Sequence, residues 1–298
     1  MDNLTNIIET QSLTKNYGKS PGITSVSLNV EVGDIFGFVG PNGAGKSTFI
    51  KLILNLIKPT SGTATVFGRD VVKKSYVIKR SLGYAPSDVR FYPGMTAEQI
   101  LKNTLRFHRK KDYSKIDTIC KRLDLDKYKL FRELSLGNKK KVAIAAALIH
   151  EPKIIILDEP TSGLDPLIQI RLFEMLEEAA KNGATVFLSS HNLAEIREHC
   201  TVTGFIKNGK IINEQRLDTA ITNKIIVTIT AENLNREILE KLNSEIIIDN
   251  NNTVKFSYIG EIPTLLKTLS CIEISDIIIE RHSLEGDYLK YYDDEGKL

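Results

Sequence analysis

The sequence predicts an α/β fold built on a mainly parallel sheet, followed by a smaller α+β domain. Three stretches carry the first part of that prediction. The apolar run 35–39 leads into Gly40-Pro41-Asn42-Gly43-Ala44-Gly45-Lys46-Ser47-Thr48 and then into a helical stretch over 49–57. A second apolar run, 153–157, ends in Asp158-Glu159-Pro160; Leu172, Met175, Leu176 and Ala179 then recur at helical spacing until Gly183 closes the helix. A third run, 184–188, is followed by polar residues and a helix beginning near Asn192. Strand, crossover helix and strand in this order build a parallel sheet whose ligand loops lie at the carboxyl ends of the strands.

Residues up to about 215 keep this strand–helix alternation, interrupted between Thr96 and Arg132 by charged, helical periodicity. That interruption predicts a helical subdomain over about 96–150. From about residue 216 the rhythm changes: 224–230, 245–248, 254–258 and 274–279 read as strands, and 234–242 and 262–269 as helices. The order βαββαβ predicts a small ferredoxin-like domain over 216–298, set apart from a first domain over 1–215. A chain of 298 residues is long enough for two such cores.

Composition narrows the function classes. A formal charge of +3 gives no basic bias toward nucleic acid. With 42% hydrophobic and 26% charged residues the chain is an ordinary globular one, neither disordered nor disulfide-stapled. Its longest apolar stretch, 142–149, falls well short of the roughly 18 residues a membrane-spanning helix needs. Met1-Asp2-Asn3-Leu4-Thr5 has neither the basic nor the apolar part of an export signal. Cys120, Cys200 and Cys271 are unclustered and read as reduced thiols of a cytosolic protein rather than as a zinc site.

The chemistry lies in the loops. Gly40 to Ser47 matches G-x-x-x-x-G-K-[ST] between a strand and a helix, the context that motif requires. Its glycines let backbone N–H groups wrap a phosphate, and the helix N-terminus adds favourable partial charge. Lys46 reaches the β- and γ-phosphates of a nucleoside triphosphate, and the Ser47 hydroxyl holds Mg²⁺. Asp158, ending a buried strand beside that loop, is the second Mg²⁺ anchor. Glu159 is the candidate base for the attacking water; the competing reading makes it a helix cap or ion-pair residue.

Leu134-Ser135-Leu136-Gly137-Asn138 precedes a long apolar helix that opens on Lys139-Lys140-Lys141. Here the chain resembles the ATP-binding cassette (ABC) ATPases, whose signature usually reads Leu-Ser-Gly-Gly-Gln. The resemblance covers about residues 6 to 215 and rests on order: the phosphate loop at Gly40, the signature at Leu134, Asp158-Glu159, then Ser162-Gly163-Leu164-Asp165 like the family's D-loop, and His191 like its switch histidine. It implies a P-loop cassette of mixed sheet core plus helical subdomain that binds ATP and Mg²⁺ and hydrolyses ATP. It also implies a cytoplasmic ATPase subunit held peripherally on the inner face of the cell membrane by an integral membrane permease. In the family, Ser135 and Gly137 meet the γ-phosphate held by a second subunit, with Asp165 at the same interface, in a head-to-tail homodimer or heterodimer. His191 then contacts the γ-phosphate and the attacking water, Tyr17 stacks on adenine, and the loop from Gly40 through Pro41, Asn42, Gly43, Ala44, Gly45 and Thr48 cradles the phosphates.

Two departures mark a subfamily. Where the family has a Gln after an edge strand this chain has Ser87-Asp88, leaving either Ser87 or Asp88 to touch Mg²⁺ or its water, and Leu136 and Asn138 replace Gly and Gln in the signature. Both resemble the drug-export branch, including the bacitracin-export type, as does the terminal stretch from Ser283 to Tyr292. An importer subunit, a soluble ABC ATPase without a transport role and a non-catalytic nucleotide sensor stand as alternatives. The basic runs 109–111 and 139–141 read as solvated faces, with membrane-surface attraction as the other reading.

Overall fold

The computed structural model describes residues 5–18, 20–217, 224–231, 242, 245–250, 252–270 and 273–281. The chain divides into two compact units, Met1–Arg216 and Leu217–Leu298.

The first unit holds two sheets. A six-stranded sheet runs in the order β10-β9-β3-β8-β7-β6, made of β3 (Ile35–Val39), β6 (Leu82–Ala85), β7 (Ile154–Asp158), β8 (Thr185–Ser190), β9 (Val202–Lys207) and β10 (Lys210–Arg216). All neighbours are parallel except β9 and β10, which form an antiparallel hairpin, so the sheet is mixed. Strands β3, β7 and β8 are buried along their whole length, and their apolar runs are what a sheet covered on both faces demands. Phe36 stacks on Phe187 with centroids 5.4 Å apart, and Phe38 meets Phe49 of helix α1 (Lys46–Ile53) at 5.0 Å. This aromatic cluster anchors the phosphate-loop helix to the centre of the sheet.

The second sheet departs from the expected alternation. β1 (Asn6–Tyr17), β2 (Ser20–Glu31), β4 (Ser61–Val66) and β5 (Arg69–Asp70) form a wholly antiparallel layer in the order β2-β1-β4-β5. Register shifts along β1 and β2, with Ser12 and Ser25 at positive φ, break the period-2 pattern by which a strand is read from sequence. Helix α1 also starts earlier than residue 49. Gly45 sits before it at φ 108, a left-handed conformation that favours glycine, and a Cβ there would stand 2.7 Å from the Gly22 carbonyl. It ends at Ile53 rather than 57, where Asn55 turns to φ 50.

Helices fill the expected subdomain and the crossovers. α2 (Ser75–Lys79) precedes β6; α3 (Ala97–Phe107) opens on a Thr96/Gln99 capping box, packs with α4 (Lys115–Arg122) and leans on α5 (Leu136–Leu148). α6 (Pro166–Lys181) and α7 (Leu193–His199) follow β7 and β8. His108, capping α3, stacks on His150 just beyond α5 with ring centroids 3.6 Å apart. Burial, with the neighbouring His108 adding to it, pushes His150 down to about 4. The folded chain therefore takes up this proton less readily than the unfolded one. Stability is full above about pH 6.5 and falls as pH drops from 6.5 toward 4, by on the order of 3 kcal/mol. Melting curves between pH 7 and 4 are expected to show a steeper fall in Tm for the native chain than for His150→Phe. Equal slopes would assign the loss to other groups.

In the second unit β11 (Lys224–Thr230), β12 (Glu245–Asp249), β13 (Thr253–Ile259) and β14 (Asp276–Arg281) form one antiparallel sheet in the order β12-β13-β11-β14. Its core gathers Val227, Ile229, Val254 and Phe256 with Leu265 and Leu269 of the helix Ile262–Leu269. The last strand lies two residues beyond the expected 274–279. The predicted helix over 234–242, Cys271 and the stretch from Ser283 to Tyr292 fall outside the described residues, except Leu242, which joins the core. Cys120 and Cys200 are free, buried thiols; burial pushes Cys120 up to about 11 and Cys200 higher still, which makes both unreactive.

Candidate functional site

Parallel strands bring four loops to one edge. The phosphate loop leaves β3, Ser87 follows β6, Asp158 ends β7 with Glu159 just beyond it, and Ser189, Ser190 and His191 close β8. Sequence positions more than 140 residues apart become neighbours because β3 lies directly beside β8 and β8 beside β7.

Lys46 is the centre of the site. Only 5% exposed, it donates through Nζ to the Gly40 carbonyl at 2.6 Å and the Pro41 carbonyl at 3.1 Å, and lies 3.3 Å from Glu159 Oε1. The other oxygen of Glu159 is 3.5 Å from His191 Nδ1. Lys46, Glu159 and His191 thus form one chain of polar groups across the mouth of the loop. Ser47 and Thr48 occupy the first turn of α1. The Tyr17 ring reaches the same turn: its Cε2 and Thr48 Cγ2 lie 2.8 and 3.0 Å from where a Cβ on Gly22 would stand. Half of that ring is exposed, as a stacking platform requires.

Asp158 is 1% exposed and makes no ion pair among the described residues. Two hydroxyls hold it instead, Ser189 Oγ donating to Oδ1 at 2.7 Å and Ser87 Oγ donating to Oδ2 at 3.2 Å. Of the two residues named for the metal, Ser87 contacts the Asp158 carboxylate, whereas Asp88 pairs with Arg90 at 2.7 Å on the surface. Tyr84, half-buried next to this carboxylate, is pushed up to about 12 by burial and by the Asp158 charge.

The signature residues stand apart from the loop they were expected to serve from another subunit. Ser135 caps α5, accepting from Asn138 N–H at 3.3 Å, and neither Ser135 nor Gly137 hydrogen-bonds to the phosphate loop among the described residues. Gly137 lies against the D-loop-like segment; a Cβ on it would stand 2.8 Å from the Gly163 carbonyl. Leu136 is 85% exposed, so its bulk is accommodated by pointing into solvent. Asp165 caps α6 by accepting from Ile168 N–H at 3.1 Å, which occupies one carboxylate oxygen within the chain.

A family model described as ABC transporter matches residues 23–162. The bacitracin transport ATP-binding protein BcrA of Bacillus licheniformis is 39% identical over 221 residues, which span 72% of this chain and 71% of that protein. The chain belongs to the ABC transporter family. The lantibiotic transport ATP-binding protein SrtF of Streptococcus pyogenes is 34% identical to this cassette, over 71% of the chain and 92% of that relative. Among solved structures, an ATP-binding subunit of an ABC transporter aligns with a TM-score of 0.67 at 28% identity, over 71% of this chain and 90% of its own. A dimeric bacterial ABC transporter cassette aligns at 0.66 with 26% identity, over 71% and 99%.

As an ABC cassette the chain binds ATP, and its residues fit Mg²⁺ as well. The buried Asp158 carboxylate with the Ser87 and Ser189 hydroxyls on it is a hard-oxygen donor set of the kind Mg²⁺ takes. Two groups escaped sequence reasoning. Ser189 bridges both acids, donating to Asp158 and accepting from Glu159 N–H at 3.0 Å. Its only signal was a hydroxyl at the end of an apolar strand. Lys140 and Lys141 are not solvated: both are buried, with Lys141 bonded to the Asp124 carbonyl at 3.3 Å. A basic triplet at a helix start looks like surface, and only packing of α5 against the sheet turns it inward. Arg109, Lys110 and Lys111 do lie on the exposed side.

Proposed function

We propose that this cassette is the ATP-hydrolysing subunit of an efflux transporter and drives a separate membrane permease. The observation that carries the reading is the polar chain Lys46–Glu159–His191 at the mouth of the phosphate loop. On ATP binding the Lys46 ammonium leaves the loop carbonyls for the β- and γ-phosphates. Glu159 accepts a proton from the attacking water, and His191 orients that water and the γ-phosphate. Ser47 and Asp158, the latter with the Ser87 hydroxyl on it, would hold Mg²⁺, which would supply positive charge against the phosphate oxygens. Tyr17 takes the adenine.

Ser135 and Gly137, at a helix N-terminus with no hydrogen bond to their own phosphate loop among the described residues, suit the nucleotide of a second copy or a paralogue. Closure of such a dimer on two ATP molecules and its reopening after hydrolysis is the work cycle. A permease is expected to dock near the helical subdomain and the Ser87 loop, placing this chain on the inner face of the membrane. Among the described residues no helix is long and apolar enough to cross a membrane, which agrees with that division of labour. The export direction is supported by relatives named for bacitracin and lantibiotic transport. Residues 217–298, with antiparallel strand order β12-β13-β11-β14, are read as a separate ferredoxin-like domain. Affinity purification from gently solubilised membranes is expected to recover a polytopic membrane protein in stoichiometric amount. Recovery of the chain alone, from the soluble fraction only, would overturn the transporter reading.

A further inference from the structure

Glu159 has φ 49, a left-handed conformation that is strained for a non-glycine residue and persists only where neighbours impose it. Two elements do so from opposite sides. β8 takes the Glu159 N–H, through the Ser189 hydroxyl at 3.0 Å and the Ser189 carbonyl at 3.2 Å. α5 takes the Glu159 C=O: Lys140, in the second turn of that helix and 7% exposed, donates from Nζ to it at 2.5 Å and to the Ser162 carbonyl at 2.9 Å. With both backbone groups of the residue held, its Cα–Cβ bond is aimed at the mouth of the loop, and the carboxylate lies between Lys46 and His191.

We propose that Lys140 is a positioning residue for ATP hydrolysis: its ammonium, spanning from α5 to the carbonyls of Glu159 and Ser162, holds the turn that aims the Glu159 carboxylate. α5 is the helix capped by Ser135, so a shift of that cap is transmitted to the base of the same subunit. The job needs a long stem and several donors together. A burial-tolerant methionine has the reach without the donors. The inference rests on the reading of Glu159 as base.

Steady-state turnover and separately measured ATP affinity test it on the full chain, under conditions where the native protein turns over. Lys140→Met is expected to lower kcat by about ten- to a hundredfold, the size of effect a displaced catalytic group produces, with ATP Kd changed less than about threefold. Lys140→Arg, which keeps charge and donors, is expected to recover most of the rate. Full turnover in Lys140→Met overturns the proposal, as does a parallel loss of rate and ATP affinity that Lys140→Arg does not restore. Should Lys140→Met not fold, Lys140→Gln takes its place with the same criteria. Glu159→Gln, run alongside, separates the two readings. Turnover retained there refutes Glu159 as the base and this proposal with it, whereas turnover lost there but full in Lys140→Met refutes Lys140 alone.

Discussion

Glu159→Gln is expected to lower ATP turnover by about 10²–10⁴-fold, the range a general base contributes, while ATP still binds. The substitution preserves shape and removes the proton acceptor. In the proposed site phosphate binding has separate carriers, the loop N–H groups and Lys46, so affinity has no reason to fall. If anything it gains, because a neutral amide holds the Lys46 ammonium less strongly than the Glu159 carboxylate 3.3 Å away does. In the proposed cycle hydrolysis reopens the dimer, so the variant is expected to accumulate as an ATP-bound dimer. Single-turnover phosphate release and size-exclusion chromatography with ATP and Mg²⁺ read the two effects. Turnover at the native rate would return Glu159 to a structural role and favour a nucleotide sensor over an engine.

Lys46→Met is expected to fail earlier, at binding. The Lys46 side chain is buried and folded back onto Gly40 and Pro41, so its ammonium is already desolvated before it meets a phosphate. A hydrogen bond to a charged partner under such conditions contributes about 1.5–3 kcal/mol. ATP affinity should therefore drop by roughly ten- to a hundredfold, and kcat should fall further because charge on the γ-phosphate grows in the transition state. Titration calorimetry and turnover measure these separately. The contrast between the pair is the sharper result: Glu159→Gln binds without turning over, and Lys46→Met does neither well. Native ATP affinity in Lys46→Met would remove this lysine from the phosphate site.

The central sheet and its chemistry were legible because each signal was local. Ile35–Val39 and Ile154–Asp158 are apolar runs leading into functional residues, the composition a fully buried parallel strand favours. The antiparallel layer β1-β2-β4-β5 was illegible for a matching reason: bulges at Ser12 and Ser25 shift the alternation midway, so no window shows a clean period. The basic run 139–141 was misjudged because charge predicts exposure only while nothing buried can receive it. Here the carbonyls of Glu159, Ser162 and Asp124 do.

From residue order alone came the phosphate loop, the acid pair and the signature, and the expectation of a permease and a second cassette came from the family resemblance those motifs carry. The motifs are a matter of residue type at fixed spacing, and backbone geometry within a loop is set by near neighbours. Tertiary structure decided whatever depended on parts distant in the chain. It set the Ser87 hydroxyl on Asp158 and paired Asp88 with Arg90 at the surface. It also made Ser189 the bridge between the two acids and turned Lys140 from a surface charge into a tether on the catalytic turn. Those outcomes follow from strand order and helix packing, which bring together groups that no sequence window contains.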